Sequence, residues 1–333
     1  MAHFDAEFLL APLDGPQPCG PNLEYDADTL ALESAARGKP EQQYGDTIIA
    51  AEAPDWRDVE ERAAALLRRT RDLRIAMTWL RARTRLDGLG GFAGTLAVIA
   101  GWVERYWDDV HPQLDPDDGH DPTMRLNALA PLTDVATVLS DLRAAPVAAV
   151  RGAITVREVE IGLGKATPLD GETAPSETGV HEALRAVESA APGSLDAIDE
   201  ALGAARALEA TLTSRVGSAS PDLKPLVRPL LALAQAAGVV RAAAADGESA
   251  SPGEIDAPAS RSAAAGGLIR NRADAARQLE AVCDWLERNE PANPAPILVR
   301  RAVRVMSMSF IDIVRDLAPE GAPQVERLAG STQ

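Results

Sequence analysis

Phe92-Ala93-Gly94-Thr95-Leu96-Ala97-Val98-Ile99-Ala100-Gly101-Trp102-Val103-Glu104-Arg105-Tyr106-Trp107-Asp108-Asp109-Val110-His111-Pro112 decides the fold class. Phe92, Leu96, Ile99, Val103, Tyr106 and Val110 recur at helical spacing, the stripe of a packed amphipathic helix. His111-Pro112 is its predicted stop, because proline disfavours helical geometry in the residue before it. The segment Gln113-Leu114-Asp115-Pro116-Asp117-Asp118-Gly119-His120-Asp121-Pro122 then reads as a turn, since Asp and Pro are both turn formers.

Helical signals extend to both sides. Asp55 is a predicted N-cap, followed by Trp56, Val59, Ala63, Leu66 and Leu67 on one face. A second helix spans Asp72 to Leu86, with Leu73, Ala76, Met77 and Leu80 inward, and Asp87-Gly88 ends it. Another runs from Pro122 to Arg143, with Pro131 as a kink or break. Residues 154–163 carry two signals. Val159, Ile161 and Leu163 alternate like a strand, while Thr155-Val156-Arg157-Glu158 has the form of a capping box and favours a short helix. Gly164 to Gly179 reads as a linker. Helices resume over His181–Ala190, from Ser194 through the stripe Leu195, Ile198, Leu202, Ala205, Leu212 and Val216, and over Pro221–Ala245. Asp246–Gly267 has Ile255 as its one large apolar residue and reads as a flexible tether. Arg272–Asn289, Pro294–Met308 and Phe310–Leu317 are helical again. The expected fold is all-α: a helical bundle N-terminal domain (1–145), a helical middle region (146–245, with its linker near 164–179), a flexible linker (246–267) and a small helical C-terminal domain (268–333).

Composition narrows the function. The 333 residues carry 50 acidic and 33 basic side chains, a net charge of −17, which disfavours nucleic acid and anionic membrane surfaces as partners. No run reaches the ~18 unbroken apolar residues of a membrane span. Met1-Ala2-His3-Phe4-Asp5 lacks a basic start and an apolar signal core, so the expected location is cytoplasmic, without direct membrane insertion. Cys19 and Cys283 are expected as free thiols, Cys19 in a partly exposed turn and Cys283 in a helix core.

Several motifs invite a chemical reading. Asp115, Asp117, Asp118 and His120, with His111, raise the alternative of a metal-dependent hydrolase built on the 111–121 loop. An EF-hand loop counted from Asp115 fails, because Gly119 and His120 stand where a ligand and a glycine belong. The histidine spacing matches no familiar zinc pair either. A solvated turn is the preferred reading, with Arg125 neutralising part of the local acid. Gly88-Leu89-Gly90-Gly91-Phe92-Ala93 fits a dinucleotide fingerprint by letter, but a helix rather than a strand precedes it, so a tight helix–helix turn is expected. No nucleophile-elbow, phosphate-loop or CxxC motif occurs, and no cofactor is expected. Trp102 lies off the main stripe of its helix and is a candidate partner contact.

The ordered set Pro18-Cys19-Gly20-Pro21-Asn22-Leu23-Glu24-Tyr25-Asp26, Asp55-Trp56, Leu66-Leu67-Arg68-Arg69-Thr70-Arg71-Asp72-Leu73-Arg74, Gly88-Leu89, Tyr106-Trp107-Asp108-Asp109-Val110-His111-Pro112, Asp121-Pro122 and Arg125 resembles the ImpA-type N-terminal domain of the TssA family of bacterial type VI secretion systems. Near the other end, Ile269-Arg270-Asn271-Arg272-Ala273-Asp274-Ala275 and Glu290-Pro291-Ala292-Asn293-Pro294-Ala295-Pro296-Ile297-Leu298 resemble the short class of that family, with Asn271, Ala292 and Asn293 where serines are usual. The resemblance implies a non-enzymatic assembly protein whose C-terminal region forms ring-like homo-oligomers. It implies baseplate, tail-tube and sheath proteins as partners, and a role in priming or stabilising tail assembly. Ile297, Leu298, Arg300 and Arg301 are then interface candidates. Asp55, Trp56, Asp72, Leu73, Arg74, Tyr106, Trp107, His111, Pro112 and Arg125 are the structural motif.

Overall fold

A computed structural model describes residues 6–39, 41–44, 47–172, 174–248, 272–289 and 294–306. They fall in two compact units, one up to residue 252 and one from residue 253 onward. The helices of the first unit are α1 (Ala6–Leu10), α2 (Ala27–Arg37), α3 (Trp56–Leu67), α4 (Leu73–Arg105), α5 (Thr123–Leu129), α6 (Val138–Ala144), α7 (Val156–Gly162), α8 (Glu177–Ala190), α9 (Asp196–Val216) and α10 (Lys224–Glu248). The second unit contains α11 (Arg272–Asn289) and α12 (Ala295–Met306). Apart from a short antiparallel hairpin, Gln42–Tyr44 with Thr47–Ile49, the described elements are helical, as expected of an all-α chain.

Local chemistry sets the helix starts. Asp55 and Asp72 each accept the backbone N–H two residues on, opening α3 and α4. At α7, Thr155 and Glu158 form the full capping box, so 154–163 resolves as helix. Ser176 caps α8, which therefore begins before His181. The segment between α7 and α8 is anchored by the Arg157–Glu172 ion pair at 2.5 Å.

α4 is the central element. It turns at Gly88 (φ 64°, ψ −148°), where Asp87-Gly88 was expected to end one helix and start the next. A Cβ at Gly88 would lie 2.6 Å from the carbonyl oxygen of Pro146, so only glycine fits this bend. That carbonyl accepts the N–H of Leu89 and restarts the helix. The glycine-rich stretch is thus a turn inside a packed helix, with no strand before it.

Beyond the bend, burial is not confined to one stripe. Leu89, Phe92, Ala93, Leu96, Val98, Ile99, Trp102 and Val103 are all buried. A helix apolar on all sides needs neighbours on all sides. α3, α6, α1 and, most extensively, α9 supply them. Helices on both sides of residue 145, α4 and α9 above all, pack against one another. Both α4 and Lys224–Ala244 are long and apolar enough to cross a membrane, but 67% of the most apolar α4 window is buried inside the protein. α4 ends at Arg105, earlier than His111-Pro112 suggests. Pro131 breaks rather than kinks the next helix, opening a 3-10 turn over Ala130–Thr133 between α5 and α6. The expected tether 246–267 and helix Phe310–Leu317 lie outside the described residues, except for the end of α10.

Candidate functional site

The Tyr106–Pro112 segment wraps around Arg125. This guanidinium is fully buried, and its donors reach the carbonyls of Trp107, Val110 (2.6 Å) and Pro112 (2.9 and 3.1 Å). The cation also lies 4.8 Å from the Trp107 ring centre. Arg125 does not neutralise the acidic loop by a direct carboxylate contact, as the sequence suggested. It is a clamp on backbone carbonyls, and burial pushes its pKa down to about 10 against the pull of Asp108, Cys19 and Asp109. The clamp also explains the early end of α4. Carbonyls 107, 110 and 112 are turned onto the arginine fork instead of continuing a helical ladder.

A second buried arginine ties down the N-terminus. Arg71 donates to the carbonyls of Leu67, Phe8 (2.9 Å) and Ala11 (3.2 Å) and faces the rings of Phe8 and Trp102. It thus satisfies carbonyls at the C-terminal end of α1, where a cation is favourable. Burial lowers its pKa as well. Trp102 completes this junction: it is 0% exposed, and its indole N–H donates to Leu9 O at 2.7 Å. The expected partner contact is therefore a core residue, off-stripe because α1 covers that side of α4. The Tyr106 hydroxyl donates to Leu10 O at 2.9 Å.

The Pro18–Asp26 motif meets the same knot. Arg71 N–H donates to Cys19 O, the Thr70 hydroxyl to Pro21 O at 2.7 Å, and the His111 ring to Gly20 O at 2.9 Å. A carbonyl only accepts, so His111 holds its proton on Nε2. The backbones of Arg71, Leu73 and His111 bond side by side, and Asp72 and Glu24 both pair with Arg74. Cys19, expected in a partly exposed turn, is 1% exposed, and burial together with Asp109 pushes its thiol up to about 12. Asp55 and Trp56 belong to a neighbouring junction. The Trp56 ring faces Arg81 and Arg85, which share the buried carboxylate of Asp141.

Two carboxylates of the acidic loop after Pro112 are used within the turn itself. Asp115 accepts the N–H of Asp117 at 2.9 Å, and Asp121 accepts that of Thr123 at 2.7 Å. His120 has φ 66° at the loop tip, while His111 points into the knot. Among the described residues no three His, Cys, Asp or Glu side chains converge as a metal site. The hydrolase alternative thus has no assembled constellation there.

The second unit differs in character. Cys283 is buried, as expected, and its Sγ lies 3.7 Å from Pro296 O, where α12 begins. Arg300 bridges α12 to Glu287 and Asp284 of α11. Ile297 and Leu298 are 75% and 68% exposed, and Val282 and Trp285 on α11 are about half exposed. Sequence reasoning selected the first pair and missed the second, since a tryptophan at helical spacing reads as core. It also missed Arg71, whose partners are backbone atoms without sequence signature.

Residues 10–134 match the family described as ImpA, N-terminal, type VI secretion system. A solved N-terminal domain of the TssA component of the type VI secretion system from Burkholderia cenocepacia is 23% identical, with a TM-score of 0.49 over 72% of this chain and 94% of that one. The type VI secretion system component TssA1 of Pseudomonas aeruginosa is 37% identical over 98% of both chains. On that full-length match the chain belongs to the TssA family of type VI secretion system components.

Proposed function

We propose that this chain is a structural assembly adaptor, which self-associates through its C-terminal unit and binds baseplate, tail-tube or sheath proteins to prime or stabilise tail assembly in the bacterial cytoplasm. The observation that carries the reading is the exposure of Val282, Trp285, Ile297 and Leu298 on two helices. Val282 and Trp285 are one helical turn apart and share a face. Large exposed apolar residues on so small a unit mark a surface that another chain covers. Arg300 is engaged with Glu287 and Asp284 within the hairpin, so in this reading it holds the interface in shape, and Arg301 flanks it. Ring-like homo-oligomers are the form that the family resemblance supports.

Light scattering on the eluting full-length chain tests this. The wild type should run as an oligomer, and Ile297→Asp/Leu298→Asp should dissociate it while α-helical content stays unchanged. A wild type that is monomeric across a wide concentration range refutes self-association. Pull-downs with each baseplate, tube and sheath protein test the partner half separately.

A further inference from the structure

A groove of about 470 Å³ opens between α6, α7 and α10 of the N-terminal unit, within the ~300–1,000 Å³ of typical ligand sites. Its apolar lining comprises the buried Leu139, Pro229 and Ala232, the half-buried Leu231 and the exposed Pro225 and Val135. Its charge is opposite to that of the chain. Arg143, Lys165 and Arg228 line it, against Glu160 as its one carboxylate. Glu160 is already engaged by Arg143 at 3.0 Å. Lys165 and Arg228 are exposed and have no ion-pair partner among the described residues. On a chain with a net charge of −17, two uncommitted cations over an apolar floor form a local complement to an anionic, apolar partner. The backbone adds an acceptor. Pro229 lies inside α10 and has no N–H, so the carbonyl of Pro225, one turn back, lacks its helical donor at the groove wall.

We infer that this groove binds an extended segment of a partner protein that carries an Asp or Glu carboxylate beside a bulky aliphatic or aromatic side chain. The side chain fills the floor between Leu139 and Leu231. The carboxylate sits between Lys165 and Arg228. A peptide N–H of the partner meets the Pro225 carbonyl. A phosphate or nucleic-acid backbone satisfies the cations but leaves the apolar floor wet, so a peptide is the better match. Every lining residue belongs to the N-terminal unit, so the inference stands or falls independently of self-association through α11 and α12.

The test selects a random-peptide phage library on the immobilised full-length chain and measures fluorescein-labelled versions of the enriched peptides by anisotropy. Enrichment of Asp or Glu next to Leu, Ile, Phe or Trp is expected. Lys165→Glu/Arg228→Glu should weaken these peptides about tenfold or more, since like charges now face each other across the groove. Raising salt from about 0.1 M to about 1 M should also weaken binding, as the Debye length shrinks from ~10 Å to ~3 Å. Both side chains are exposed and have no ion-pair partner among the described residues, so the melting temperature should hold; if the reversal lowers it, Lys165→Ala/Arg228→Ala replaces it and should show the same loss in smaller measure. No enrichment, a consensus without carboxylates, or affinities indifferent to these substitutions overturns the inference. So does a changed oligomeric mass in the double variant, which would assign the groove to a second copy of this chain.

Discussion

Replacing Arg125 by methionine should destabilise the N-terminal unit by about 2–6 kcal/mol, as worked from its contacts. The guanidinium reaches three carbonyl acceptors, those of Trp107, Val110 and Pro112. Hydrogen bonds to a charged group have a net value of ~1.5–3 kcal/mol each, so three acceptors correspond to ~5–9 kcal/mol. Desolvation opposes this. Burial lowers the pKa of Arg125 from 12.5 to about 10, which corresponds to ~3 kcal/mol against the charged form. Methionine fills most of the volume, so the cavity contribution is small. For a unit of this size the loss translates to a fall in Tm of about 5–20 °C. Lysine is the discriminating substitution. It keeps the charge but lacks the planar fork that serves several carbonyls at once, so Arg125→Lys should recover less than half of the loss. Urea and thermal unfolding of the full chain, followed by circular dichroism, give both values, and native-state hydrogen exchange should show opening first around residues 107–112. If the methionine variant unfolds within about 0.5 kcal/mol of the wild type, the clamp contributes nothing; if the lysine variant does, the charge suffices and the planar fork is not needed.

Gly88→Ala forces a side chain into a backbone region that disfavours it and places Cβ 2.6 Å from the Pro146 carbonyl; a loss of ~2–4 kcal/mol is expected in urea melts. Gly90→Ala, where a Cβ meets nothing within 4 Å, is the control and should be neutral or stabilising; equal effects at both sites would discredit the bend. Glu172 is held down to about 2, from 4.5, first by the Arg157 hydrogen bonds and then by the Leu169 N–H. Its folded pKa is depressed, so its contribution is present above pH 4.5 and is lost as pH falls toward 2. The protection factor of the Leu169 amide, taken against its intrinsic exchange rate at each pH, should fall through that window, and a flat profile contradicts the pairing. Cys19, buried with its thiol raised to about 12, should resist a thiol reagent such as DTNB at pH 8 until the unit is unfolded; rapid labelling of the native chain at Cys19 places that residue at the surface.

The sequence displays what local chemistry determines. The stripe from Phe92 to Tyr106, the caps at Asp55 and Asp72 and the Thr155–Glu158 box each depend on residues within a turn or two of one another, and each is found in place. What eluded it depends on partners distant in sequence. Trp102 reads as exposed only if α4 has one buried face, yet α1, α3, α6 and α9 cover it from several sides. Arg125 stands beside aspartates in the sequence, but its partners in space are carbonyls, which every residue carries and no motif records.

This division bears on where recognition resides. Cys19, Arg71, Asp72, Trp107, His111 and Arg125, which carry the family resemblance, are buried; Arg71 and His111 tie down the N-terminal segment, and Arg125 holds the 107–112 segment. Buried in this way, these side chains are not presented to a partner at the surface. Among the described residues, exposed groups include Lys165 and Arg228 over the groove, and Ile297 and Leu298 on α12. Of these, only the α12 pair falls in a recognisable motif. The residues that identify the family therefore specify how the scaffold holds together. If the groove binds a partner as inferred, partner choice rests on residues such as Lys165 and Arg228, whose exposed side chains can change charge without disturbing the core.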